Sequence, residues 1–185
     1  MSEEKSYIEN MKIFKDFPIL KELEEKLGVN ALHVMELFEK TTGLKGYRIT
    51  DRLVACIYID LRERQYPITV RELARYFDDV NPKIVLRIVN KLLNKYRIKL
   101  PFVNIEGIIE RYGKQFNLTE EEINKAKEVS KIIRRIDKNP LNVAVSSIFI
   151  VIKDRIGITK FSRTVKVSEP TIRKNVQEYL RKISK

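Results

Sequence analysis

The chain has 185 residues, 43% of them hydrophobic and 34% charged, with a formal net charge of +12, which excludes wholesale disorder and allows one large or two small domains. Six Gly, six Pro and the absence of long apolar–polar alternation predict an all-α protein. No run of 18 apolar residues or signal-peptide layout occurs, and Cys56 is the single cysteine, so we expect an intracellular protein with no membrane segment, disulfide or cysteine metal site.

Residues 18–97 are predicted to form a first domain, after an N-terminal extension at 1–17 to which we assign no role. Its start signals are Thr69 followed by Glu72, which has capping-box spacing, and Asn81-Pro82, a capping side chain before a first-turn proline. The pattern predicts five helices, near 18–27, 31–43, 51–63, 70–77 and 82–96.

Residues 98–103 are interpreted as a linker, and residues 104–185 as a second domain. Thr119 followed by Glu122 and the pair Asn139-Pro140 repeat the two kinds of start signal. Five helices are predicted again, near 104–116, 120–136, 140–154, 160–165 and 169–183.

The two domains read as copies of one unit. Segment 53–93 resembles segment 142–180: each has an apolar helix, an "IT" pair, a short helix, a valine and a final helix begun with proline. The third helix of each copy is nearly apolar all round, which predicts a place at the centre of its domain.

The positive charge is concentrated in two blocks. Residues 41–100 carry 13 basic and 6 acidic side chains, residues 151–185 carry 10 and 3, and residues 1–40 carry 6 and 9. Such clusters are typical of proteins that bind a polyanion, and a generally basic solvated surface is the alternative.

The last two helices of the second copy have helix-turn-helix layout, with a turn near Lys166-Val167. On the final helix an apolar stripe predicts one docked face and leaves a polar, basic face outward. The stripe consists of Ile172, Val176, Tyr179, Leu180 and Ile183; its counterpart in the first copy is Val85, Val89, Leu92, Leu93 and Tyr96.

Two such copies joined by "IKLP" resemble the paired cyclin-box repeats of the transcription factor B family, the archaeal and eukaryotic initiation factors of TATA promoters. "NPLNVAVSSIFIVI" resembles the third helix of the family's second repeat, and "VSEPTIRKNVQEYL" resembles its recognition helix. The resemblance implies two tandem five-helix cyclin-like domains that act as a monomer on double-stranded promoter DNA. It also implies a nuclear or archaeal cytoplasmic setting, the TATA-binding protein as partner, RNA polymerase or other initiation proteins as further partners, and no cofactor.

The resemblance and the exposed helix faces together nominate the side chains that would contact DNA. Those expected to read bases in the major groove are Arg173, Thr171, Pro170, Lys174 and Gln177. Those expected on phosphates are Lys160, Arg163, Lys166 and Arg181 in the second copy and Arg71, Arg75, Lys83, Arg87 and Lys91 in the first.

The sequence departs from the family in two ways. Pro170 stands where the family has a small apolar residue, which predicts an altered site preference. One cysteine cannot supply the four ligands of the family's zinc ribbon, and its polymerase-recruiting loop is missing. We therefore expect either a fragment of a longer factor or a natural relative that regulates or competes at promoters.

No residue pattern predicts catalysis, and we do not expect an enzyme. His33 lacks a visible partner, Cys56 lies in an apolar helix, and Glu120–Glu122 and Asp78-Asp79 are explained by helix starts and turns. A second hypothesis for function is a cyclin-box module whose groove binds a protein segment and whose basic face is incidental.

Overall fold

The computed structural model describes residues 18–185, so the extension predicted at 1–17 lies outside the described residues. Throughout residues 18–185 the regular secondary structure is α-helical, which confirms the all-α prediction. The described part of the chain divides into two compact units, with the division between Phe102 and Val103. Within the described part of the chain, no helix is both long and apolar enough to cross a membrane.

The first unit contains five described helices: α1 Pro18–Leu27, α2 Ala31–Glu39, α3 Ile49–Glu63, α4 Val70–Ala74 and α5 Pro82–Tyr96. Helix α2 ends four residues before the predicted 43, because the amide of Thr41 (2.9 Å) and its hydroxyl (2.6 Å) both donate to the carbonyl of Phe38 and tighten the last turn. Asn81 accepts from the amide of Lys83 at 2.9 Å, as expected of a cap.

The second unit also contains five: α6 Ile105–Gln115, α7 Glu120–Ile133, α8 Pro140–Ile152, α9 Ile158–Val165 and α10 Glu169–Ile183. Asn139 accepts from the amides of Leu141 (3.0 Å) and Asn142 (3.2 Å). The capping boxes predicted at Thr69–Glu72 and Thr119–Glu122 are both present.

The third helix of each unit lies at its centre, as the repeat pattern predicts. Helix α3 packs on α2, α4 and α5, and α8 packs on α6, α7, α9 and α10. The description of α3 as nearly apolar was wrong, because Asp51, Asp60 and Arg62 are buried in it. Each has a specific partner: the Asp60 carboxylate, for example, accepts from the amide of Asn30 at 3.0 Å and so holds the start of α2.

The same kind of backbone turn precedes the final helix of each unit. Asp79 and Lys166 both have φ 54°, each is followed by a valine, and the next residue is the N-cap. The "IT" pairs do not correspond: Thr69 caps α4 from outside, whereas Thr159 lies within the first turn of α9. The sequence repeat therefore aligns the turns before the two final helices correctly, but it misaligns the starts of the short helices α4 and α9.

The predicted linker, residues 98–103, is divided between the two units. Ile98 and Leu100 pack partly buried on the core of the first unit, and Val103 packs on the core of the second. Phe102, at the division, is 99% exposed.

Candidate nucleic-acid interface

The connection between α9 and α10 is a three-residue turn with a fixed geometry. Lys166 ends α9 in the left-handed region, at φ 54°. The next residue, Val167, is buried in the core, and its carbonyl accepts from the hydroxyl of Ser162 at 2.6 Å. Because the side chain of Val167 and its carbonyl are both held, the direction in which α10 leaves the turn is determined by the body of the unit.

Helix α10 docks on its unit through the first half of the predicted apolar stripe. Ile172 is buried, and Val176 and Tyr179 are half-buried. Leu180 (40% exposed) and Ile183 (53% exposed) were predicted to pack and do not, because the core that receives the stripe ends at Tyr179. The exposed C-terminal turn therefore projects beyond the packed part of the helix.

Asn175 is the residue of this docking face that the sequence reasoning missed. It is 1% exposed, and its Nδ2 donates to Oδ2 of Asp137 at 3.0 Å and to Oγ of Ser146 at 3.1 Å. Asp137 also accepts from the amide of Asn139 at 2.8 Å, at the start of α8. Asn175 follows Ile172 by three residues, which is the one signal that placed it on the buried side. It locks the middle of α10 to α8.

Arg173, the predicted base-reading arginine, is exposed but held by a carboxylate on its own helix. Its Nη2 lies 2.6 Å and its Nε 3.2 Å from Oε1 of Glu169. Oε2 of Glu169 in turn accepts from the hydroxyl of Thr159 on α9 at 3.2 Å. The hydrogen bond from Arg173 holds the pKa of the Glu169 carboxyl below its usual range. The guanidinium therefore has a defined position before any ligand arrives.

The other predicted base-reading residues lie on the same exposed face. Pro170, Lys174 and Gln177 are exposed, whereas Thr171 is half-buried and its hydroxyl shares a 2.6 Å hydrogen bond with that of Ser168. Ser168 occupies the N-cap position but makes no side-chain bond to a backbone amide of α10. Only Thr171 among these side chains is thus already engaged by the turn.

An open cleft of about 240 Å³ runs beside this face. Arg173, Gln177 and Lys153 contribute its polar rim, and Phe149 and Val176 are among its apolar lining residues. Two of the predicted base-reading residues, Arg173 and Gln177, therefore line the same cleft as Lys153.

The phosphate candidates of the second unit are Lys160, Arg163, Lys166 and Arg181, and all four are exposed. Arg181 forms an ion pair with Glu178 three residues before it, and this hydrogen bond raises the pKa of the Arg181 guanidinium. On α10 the two arginines of the exposed face therefore both have carboxylate partners.

The phosphate candidates of the first unit are Arg71, Arg75, Lys83, Arg87 and Lys91, and they too are exposed. Arg71 lies on α4, Arg75 is its C-cap, and the remaining three lie on α5. The turn before α5 is fixed by Arg48, whose Nη1 lies 2.9 Å from Oδ2 of Asp79. The same guanidinium pairs with Asp51 at the start of α3, with Nε 3.0 Å from Oδ2.

The structure shows the surroundings of His33 and Cys56, the residues that we do not expect to be catalytic. His33 has a partner that the sequence did not reveal, because its Nε2 hydrogen-bonds to Oε2 of Glu63. Cys56 is buried, and burial raises the pKa of its thiol. Among residues 18–185 no three His, Cys, Asp or Glu side chains are grouped as a metal site would require.

These observations define a class: a helical protein of two units, each closing with a short helix, a left-handed turn residue and a longer helix with a basic outer face. The chain matches no model of a known protein family, and no curated protein matches it significantly.

Proposed function

We propose that this protein binds double-stranded DNA as a transcription initiation factor B-like protein, acting at TATA promoters together with the TATA-binding protein. The observation that carries the proposal is the exposed face of α10, where Arg173, Lys174 and Gln177 project from a helix locked to its unit by Ile172 and Asn175. A major groove is wide enough for a helix presented in this way.

The chemistry of the face suits direct readout of bases. An arginine has five N–H donors, and Arg173 uses only its Nε and one Nη2 hydrogen on Glu169. The edge formed by the Nη1 hydrogens and the second Nη2 hydrogen is left to donate toward O6 and N7 of a guanine, an interaction that discriminates by about 1–3 kcal/mol against the wrong base. Lys174 and the basic residues of α9 would meet phosphates and support affinity without sequence preference.

The resemblance to transcription factor B adds the finer part of the proposal. It supplies the cyclin-like arrangement of the two units, the TATA-binding protein as partner and polymerase or other initiation proteins as further partners. The role of regulator belongs to the same proposal, and so does the absence of enzymatic activity.

A cyclin-box module that binds a protein segment is the second candidate. The observation that favours it is the pairing of Arg173 with Glu169 and of Arg181 with Glu178, which weakens the positive potential of α10. If that pairing persists in all complexes, the basic face of α10 is incidental.

A binding titration separates the two candidates. Labelled promoter duplexes and scrambled duplexes are titrated with and without TATA-binding protein over a series of salt concentrations, using the intact chain, Arg173→Ala and the control Arg135→Ala, an exposed arginine outside the interface. We expect wild-type binding to weaken steeply with salt and Arg173→Ala alone to lose preference for the promoter. Salt-independent binding, or equal preference in both variants, would overturn the proposal.

A further inference from the structure

Four cations follow one another along the exposed side of α5. Lys83, Arg87, Lys91 and Lys95 are spaced by four residues, so they form one row, here called the α5 ridge. With a rise of about 1.5 Å per residue, the row is roughly 18 Å long. All four side chains belong to exposed residues. The ridge includes Lys95, which the sequence pattern places on the outward face of this helix but which is not among the phosphate candidates named above.

The ridge is not neutralised by neighbouring acids. Helix α5 contains no Asp or Glu, and none of the four cations forms an ion pair with any residue between 18 and 185. Like charges four residues apart destabilise a helix, and three such pairs succeed one another here. A row of this kind is costly in the free protein and becomes favourable when an anion covers it.

Two tyrosine rings position ammonium groups at the C-terminal end of the ridge. The Nζ of Lys91 lies 5.0 Å from the centre of the Tyr47 ring. The Nζ of Lys95 lies 5.4 Å, and that of Lys40 at the end of α2 5.1 Å, from the centre of the Tyr96 ring. An aromatic ring holds a cation without adding a negative charge, whereas a carboxylate partner would cancel the positive charge of the pair. Lys40 thereby joins the ridge from another helix.

The final helix of the second unit is built differently. Its two arginines at 173 and 181 are each paired with a glutamate of the same helix. Lys174 and Lys182 also lie on α10, so its four cations and two glutamates leave a net charge of +2, against +4 for the four cations of α5. Helix α5 therefore has more charge available for counterion release, whereas α10 has the better-defined hydrogen-bond donor.

We infer that the α5 ridge, together with Lys40, is a sequence-independent binding surface for the phosphate backbone of duplex DNA and provides more of the salt-sensitive affinity than α10 does. The inference rests on the proposed function and assigns two roles to separate helices. The occupant is a regular polyanion because the cations repeat every four residues, about 6 Å along the helix, and a duplex presents negative charges at similarly short and regular intervals.

The test uses the intact chain and a random-sequence duplex followed by fluorescence anisotropy between about 50 and 200 mM NaCl. The triple variant Lys40→Gln/Lys91→Gln/Lys95→Gln is compared with Lys114→Gln/Lys125→Gln/Lys138→Gln, three exposed lysines of the second unit with the same total charge change. A third protein carries arginine at 40, 91 and 95. Thermal melting by circular dichroism verifies that each variant is folded.

We expect the slope of log affinity against log salt to fall by about 0.9 for each phosphate that the triple variant no longer neutralises. The second-unit control and the arginine variant should keep the wild-type slope. The same decrease in both glutamine variants would overturn the inference, because net charge alone would explain it. An unchanged slope together with weaker binding to polyglutamate would also overturn it and would assign the ridge to an acidic protein surface.

The outcome is distinguishable from failure of the proposed function. If wild-type protein binds no duplex, both proposals fail. If it binds with a steep slope that the ridge variant retains, while Arg173→Ala loses promoter preference, the ridge inference alone fails.

Discussion

Glu169 and Arg173 stand one turn apart on α10 and share a two-point ion pair, with Oε1 of the carboxylate 2.6 Å from Nη2 and 3.2 Å from Nε of the guanidinium. The hydrogen bond from Thr159 to the same carboxylate ties the pair to α9. An arginine side chain loses rotamer freedom when it binds a ligand, and this arrangement removes part of that freedom beforehand. Glu169 is therefore a positioning residue for the proposed base contact.

Glu169→Gln tests whether Glu169 positions Arg173 for the base contact or acts on DNA binding only through its negative charge. We expect tighter binding to all duplexes, because a negative charge is removed, and weaker discrimination among sequences, because Arg173 is no longer held. Folding stability should change little, since solvent screens an exposed ion pair and such pairs contribute little to stability. Competition with unlabelled duplexes measures both quantities. The control is Glu128→Gln, which breaks an exposed pair with Lys131 on α7; equal discrimination in the two variants would contradict the positioning role.

Asn175→Ala should lower the free energy of unfolding by about 1–3 kcal/mol, because the buried Ser146 and the half-buried Asp137 each lose a hydrogen-bond donor. Urea unfolding followed by circular dichroism gives the value. Asn124→Ala, at an exposed position on α7, is the matched control and should change stability little. A decrease at Asn175 no larger than that of the control would show that the network contributes nothing to the docking of α10.

Stability should depend on pH through Glu122. The amide of Thr119 donates to its carboxylate at 3.0 Å and, as the largest cause, lowers the pKa of Glu122. Since the folded pKa is below the unfolded value of about 4.3, the stabilisation is complete above that pH and disappears as pH falls through the folded pKa. Urea unfolding of wild type and Glu122→Gln at several pH values should give curves that differ at neutral pH and converge in acid; a constant difference would contradict the assignment.

Cys56 should be unreactive in the native protein. It has no exposed surface, and burial raises the pKa of its thiol, so both access and thiolate are lacking. Ellman's reagent should modify it only as fast as the first unit opens, and at once in denaturant. Rapid labelling of native protein would show that the core around α3 is accessible to solvent.

The fold class and the helix starts were predictable because they depend on neighbours in sequence. Capping boxes at Thr69 and Thr119 and the asparagine caps before Pro82 and Pro140 join groups two or three residues apart. Helix ends were less predictable: α2 stops at Glu39 because Thr41 turns back on Phe38. The helical period correctly predicted that Ile172 is buried. It also predicted that the apolar stripe packs as far as Ile183, which is exposed, because the period alone does not show where the core ends.

By itself the sequence determined an all-helical chain with two basic blocks, each ending in a long amphipathic helix, because composition, charge and local caps are properties of neighbouring residues. Only the tertiary structure decided which polar groups are buried and which cations remain without acids. Asn175 meets Asp137 across 38 positions, and Tyr96 meets Lys40 across 56. Such pairs arise from helix packing, which brings together groups that no local spacing relates.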